Sequence, residues 1–118
     1  MARHHKTGLQ GEDMAAIYLS GKGYDILHRN WRHGHWEVDL IGVKAGVLHF
    51  VEVKTRRTQK FGHPEESVSR QKIRNLINAA EAYLYRYPQW QRIQFDILAI
   101  TIPKNEPVEY FLLEDVYL

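Results

Sequence analysis

The sequence predicts an α/β (α+β) domain with the element order αβββαββ. Three observations carry that reading: a helix bracketed by its own start and stop signals, three consecutive segments of β-forming residues joined by short polar turns, and an amphipathic helix followed by a segment apolar on nearly every residue.

Thr7-Gly8-Leu9-Gln10 fits a capping box, in which a hydroxyl and an amide satisfy free N–H groups at a helix start. Gly21-Lys22-Gly23 supplies the stop, so a helix is expected over 8–21. Tyr24 to Trp31 is the first expected strand. The polar turn Arg32-His33-Gly34-His35 leads to a second, Trp36 to Val43, and Lys44-Ala45-Gly46 turns into a third, Val47 to Thr55. Three strands joined this closely imply an antiparallel meander. Arg56 to Ser67 reads as an exposed basic loop broken by Gly62 and Pro64. Ile73, Leu76, Ile77, Ala80, Tyr83, Leu84 and Tyr87 then share one helical face, which Pro88 closes. Ile93 to Ile102 has the composition of a strand covered on both faces, and Val108 to Leu113 follows the Pro103 to Pro107 turn as the last strand.

At 118 residues, with 44% hydrophobic and 25% charged residues, the chain is of single-domain size and unlike a disordered one. No apolar run reaches membrane-spanning length and the start lacks a signal-peptide core, so a cytoplasmic protein without membrane attachment is expected. The absence of cysteine excludes disulfides, thiolate zinc sites and thiol nucleophiles, and leaves oxygen or imidazole to hold any metal. A net charge of +2 conceals an uneven distribution. Seven bases lie between Lys54 and Arg74 against the two acids Glu65 and Glu66, whereas the tail after Asn105 carries Glu106, Glu109, Glu114 and Asp115 and no base. A basic middle of this kind suits a polyanion, or simply a solvated surface.

Strand alternation places Trp36, Val38 and Leu40 on one face and Glu37, Asp39 and Ile41 on the other; in the next strand it groups Leu48, Phe50, Glu52 and Lys54. A two-residue hairpin tip at Ala45-Gly46 pairs Asp39 with Glu52 and Glu37 with Lys54, whereas a three-residue tip sets Asp39 against Val51. Opposed carboxylates destabilise a sheet unless a cation neutralises them, and all-oxygen ligands favour Mg2+ or Mn2+. Lys54, on the face of Glu52, could then orient a water or offset charge on a phosphate. Glu12 falls within the helical stripe of Ala15, Ala16 and Leu19, where a carboxylate needs a partner or a metal. A cross-strand ion pair around Lys54 and a local pairing of Glu12 are the competing structural explanations. Asp96, inside an apolar strand, calls for a buried partner. The seven histidines include no H-x-x-x-H pair, so His33 and His35 read as turn residues and His4 and His5 as a frayed terminus. Trp31, Trp36, Trp90, Tyr83 and Tyr87 are core or base-stacking candidates, the tyrosines core by their place in the helix stripe.

Gly11-Glu12, Asn30-Trp31-Arg32, Glu37-Val38-Asp39-Leu40-Ile41, Phe50-Val51-Glu52-Val53-Lys54-Thr55-Arg56, Phe61-Gly62, Lys72 and Phe95-Asp96 together resemble the YraN-like family of bacterial proteins. That family looks like a minimal branch of the PD-(D/E)XK nuclease superfamily and is similar to archaeal Holliday-junction resolvases. The resemblance spans about Gly8 to Ile100. It implies a restriction-endonuclease-like mixed sheet flanked by helices, with Asp39 and Glu52 as magnesium ligands, Lys54 as the catalytic lysine and Glu12 as a helix-borne acid that binds or tunes a metal. Val38 stands where the superfamily's name expects proline, Trp36 where glycine is usual before Glu37, and Gln94 where arginine is usual before Phe95-Asp96. The expected activity is Mg2+-dependent (or Mn2+-dependent) hydrolysis of DNA phosphodiesters, with branched DNA the preferred substrate by analogy. Arg56, Arg57, Lys60, Arg70 and Lys72 would grip phosphates, and a homodimer would suit a four-way junction. The alternative is a nucleic-acid-binding or assembly protein that keeps the fold without turnover.

Overall fold

The computed structural model describes residues 3–57 and 69–116, with 3–9 described by backbone only. The elements are α1 (Arg3–Gly21), β1 (Asp25–His33), β2 (Trp36–Lys44), β3 (Val47–Arg56), α2 (Arg70–Arg86), β4 (Ile93–Thr101) and β5 (Glu109–Leu113). The expected order αβββαββ is therefore the observed one.

The five strands form one mixed sheet in the order β1-β2-β3-β4-β5. β1, β2 and β3 are the antiparallel meander; α2 carries the chain back so that β4 lies parallel to β3, and β5 returns antiparallel on β4. The two helices cover opposite faces. Leu76, Ala79, Ala80 and Tyr83 of α2 bury Val38, Ile41, Leu48 and Phe50, while Ala15 and Leu19 of α1 bury Leu40, Val51, Leu98 and Ile100. Removing side chains of this size from water drives the assembly, at about 1.5–3 kcal/mol for each large apolar residue.

α1 starts at Arg3, five residues before the expected position, so Thr7 lies inside the helix and not at its cap. Arg3 to Lys6 contain neither glycine nor proline, and nothing in them interrupts a helix once the following turns are packed. α2 is capped by Ser69, whose Oγ accepts the Lys72 N–H at 3.1 Å, and it ends at Arg86, two residues before Pro88.

The β2–β3 hairpin takes the two-residue tip. Lys44 faces Val47, and Ala45 and Gly46 both have positive φ (53° and 79°), which matches the right-handed twist of the strands. The register expected from that tip holds from Lys44–Val47 to Leu40–Val51 and the ladder ends there. Beyond it the expected geometry needs three corrections. Asp39 does not pair with Glu52 in the ladder; its carboxylate accepts the Val53 N–H. Glu37 does not pair with Lys54; its carboxylate accepts from Arg32 of β1 at 3.0 Å. Strict alternation also fails, since Val38 packs with the α2 cluster and Leu40 with the α1 cluster. β1 changes face at the same level: Arg29 reaches Asp13 of α1, whereas Trp31 meets Tyr83 of α2. Between these lie Asp39 and Asn30, and Asn30 adopts φ 53°, a conformation asparagine tolerates better than most residues. The two strands thus change face at one level, β1 at Asn30 and β2 at Asp39, a bend that they share.

Candidate active site: a carboxylate pair and two lysines

The bend turns the Asp39 side chain into the gap between β2 and β3. There its Oδ2 accepts the Val53 N–H at 2.8 Å, in place of a backbone carbonyl. Glu52, the neighbour of Val53 on β3, is 8% exposed and faces α2. From the first turn of α2, the Lys72 ammonium donates to Glu52 Oε2 at 2.6 Å. Lys54 lies two residues beyond Glu52 on the same strand face and touches Lys72. A strand bend, a β-strand and a helix start therefore bring Asp39, Glu52, Lys54 and Lys72 to one place.

The electrostatics follow from this crowding. Burial, and then the charge of Glu52, push the Asp39 carboxyl up to about 7, against the Val53 hydrogen bond and Lys72, which pull it down. Burial and the neighbouring Lys72 lower Lys54, although Glu52 and Asp39 oppose the change. Burial alone would lower Lys72 too, but its hydrogen bond to Glu52 and the charges of Glu52 and Asp39 prevail and raise it. Two carboxylates in one desolvated gap repel each other, and a divalent cation bound to both would relieve that repulsion.

Among the described residues no three His, Asp or Glu side chains stand together as a ready-made metal cage. The donors present fit Mg2+ or Mn2+ in the form such ions take at phosphates, with one or two carboxylates and the remaining positions filled by water and substrate oxygens. Glu12 is not joined to Asp39 and Glu52 in such a group. It lies on α1 between Gly11 and Asp13, and its Oε2 is buried without a hydrogen-bond partner among the described residues. Gly11 sets that position: a Cβ there would run into the Thr55 hydroxyl, so α1 crosses β3 closely only without one.

The expected phosphate-gripping residues are spread more widely. Lys72 belongs to the cluster itself. Arg56 donates to the Thr101 hydroxyl at 3.4 Å and, with Arg57, Gln10, Thr55 and Ile102, lines a cavity of about 180 Å³. Arg70 is exposed at the start of α2, and Lys60 lies outside the described residues, as does most of the expected basic loop.

Asp96 is fully buried and structural. His49 Nδ1 is 2.6 Å from its Oδ2, while Gln94 Nε2 and the Asp115 N–H each donate to Oδ1 at 3.0 Å. Gln94, where arginine was noted as usual, is thus itself a partner of the carboxylate. Tyr24 packs edge-on against His49, and its phenol is raised by burial and then by Asp96. His49 was missed by sequence reasoning; its alternate position opposite Phe50 and next to the Asp96 strand was the available signal. The aromatic candidates divide as well: Tyr83 is buried, whereas Trp31, His33 and Trp36 form a run of near-parallel rings along the β1–β2 hairpin, with His33 exposed.

No helix among the described residues is long and apolar enough to cross a membrane. Comparison with known proteins places these residues in a family. The model of uncharacterised protein family UPF0102 matches residues 11–100, the stretch that contains Glu12, Asp39, Glu52, Lys54, Lys72 and Asp96. A UPF0102 protein of Phocaeicola vulgatus is 42% identical over 105 residues, covering 89% of this chain and 87% of the relative. One from Bacteroides thetaiotaomicron is 43% identical over 100 residues (85% and 83%), and one from Syntrophomonas wolfei is 46% identical over 100 residues (84% and 87%). With a match of this extent over both helices and the first four strands, the chain belongs to the UPF0102 family.

Proposed function

We propose that this protein is a Mg2+-dependent nuclease of the PD-(D/E)XK type that hydrolyses phosphodiester bonds of DNA, with branched DNA its preferred substrate. The observation that carries the reading is the placing of the Asp39 carboxylate on the Val53 N–H, next to Glu52, at the point where β2 and β3 part, with Lys54 on the same strand as Glu52. A purely structural sheet gains nothing from two desolvated carboxylates in one gap, since like charges opposed in a sheet are destabilising.

In this reading Asp39 and Glu52 hold the ion, which supplies Lewis-acid activation of water and of the phosphoryl oxygen. Each residue has a separable task. The Val53 N–H fixes the Asp39 carboxylate, which would serve as one of the ion's ligands. Lys54, on the same strand as Glu52, would orient the attacking water and offset charge on the phosphate. Arg56, Arg57, Arg70 and Lys60 would track the backbone on either side. The cytoplasm is the proposed compartment, and a two-fold dimer is the arrangement that would present two such sites to a four-way junction.

The test is a labelled panel of four-way, flap, single-stranded and duplex DNA incubated with Mg2+ or Mn2+, with wild type beside Asp39→Asn. Cleavage by wild type alone is the expected result. Binding that survives loss of both Asp39 and magnesium, with no cleavage anywhere on the panel, would instead favour a non-catalytic nucleic-acid-binding protein.

A further inference from the structure

We propose that Lys72 is a built-in counter-cation, occupying the place of the divalent ion between the two carboxylates until that ion enters, and then moving to the substrate phosphate. This rests on the metal assignment proposed for Asp39 and Glu52. The Lys72 ammonium is 2.6 Å from Glu52 Oε2, and its charge also acts on Asp39. Of the two lysines it is the one that donates to Glu52; Lys54 acts on Glu52 and Asp39 through charge and lies beside Lys72.

The charge balance gives the exchange its direction. Ionised Asp39 and Glu52 with protonated Lys54 and Lys72 sum to zero, so the cluster is neutral without metal. Entry of a divalent ion leaves two surplus positive charges, and like charges this close repel strongly in a desolvated site. Lys72 can leave at little cost. Its backbone is held by Ser69 at the helix cap, its side chain is about half exposed, and it is not part of the apolar core. The same surplus charge is what a phosphodiester brings into balance, so the displaced ammonium has a partner in the bound substrate.

The experiment counts bound Mn2+ by electron paramagnetic resonance on the full chain, without DNA, for wild type, Lys72→Met, Lys54→Met and Asp39→Asn. Methionine keeps the length of the lysine stem and removes the charge. A charge-assisted hydrogen bond that competes with the ion corresponds to about a tenfold effect, so Lys72→Met is expected to bind Mn2+ about tenfold more tightly than wild type. Lys54→Met is expected to gain clearly less, and Asp39→Asn to lose most of the binding. In Ca2+, Lys72→Met is expected to hold four-way DNA several-fold more weakly. Unchanged or weaker Mn2+ binding in Lys72→Met, or an equal gain in Lys54→Met, overturns the exchange while leaving the metal site in place. Absence of Mn2+ binding in every protein, or equal binding by Asp39→Asn, overturns the metal assignment and this inference with it.

Discussion

Replacing Asp39 by asparagine is expected to stabilise the metal-free fold while abolishing activity. The ionised carboxylate is held in a desolvated gap beside Glu52, which pushes its pKa from the ordinary 3.8 up to about 7. A rise of this size corresponds to about 4 kcal/mol as the ceiling above pH 7. Because the native state holds the proton more tightly than the unfolded chain, this contribution to stability is fully present below pH 3.8. It is lost as pH rises toward about 7. Asparagine keeps an oxygen for the Val53 N–H and removes the charge, and coupling to Glu52 divides the benefit, so a gain of about 1–3 kcal/mol at pH 8 is expected. The assay is urea unfolding of both proteins in chelator at pH 5 and pH 8. The advantage of the variant should be clearly larger at pH 8. A variant less stable than wild type at pH 8, or a difference that does not change with pH, would refute the electrostatic reasoning.

Three further outcomes follow from the same geometry. Lys54→Met should reduce single-turnover cleavage by about 100-fold or more while DNA affinity in Ca2+ changes little, as measured by quench-flow and anisotropy, because its role is confined to developing charge. Asp96→Ala should cost about 3–5 kcal/mol by urea unfolding, because it strands buried His49 and leaves Gln94 and the Asp115 N–H without their acceptor; Mn2+ affinity should be unaffected. Ala45→Gly should raise stability by about 0.5–1 kcal/mol, since alanine at φ 53° in the β2–β3 tip is strained where glycine is not, and thermal unfolding will measure it.

Much of the fold could be read from local patterns because each pattern had one physical solution. The β-branched and aromatic runs specified the strands, while Ala45-Gly46 left a two-residue and a three-residue tip open, and the structure takes the former. What could not be read depended on contacts distant in sequence. Asp39 was expected opposite Glu52 as a ladder pair, but the bend it shares with Asn30 sends its carboxylate to the Val53 N–H. Only the positive-φ tolerance of asparagine hinted at that bend. Glu37 found Arg32 because β1 lies beside it, and strand alternation alone gives no weight to that neighbour. Lys72 read as a phosphate-gripping base; only the docking of α2 on the sheet carries its ammonium to Glu52. The Asp96 carboxylate signalled its need for a partner, while the identity of that partner, His49, lay 47 residues away on an adjacent strand.

The most direct test of the central claim is the single-turnover cleavage rate of four-way DNA as a function of Mg2+ for wild type, Asp39→Asn and Glu52→Gln. A saturable dependence on Mg2+ in wild type, with both variants slower by at least about 100-fold and still able to bind DNA in Ca2+, is the result expected of these two carboxylates as the metal-holding pair. Equal rates in all three proteins, or no cleavage by wild type at any Mg2+ concentration while binding persists, would contradict it.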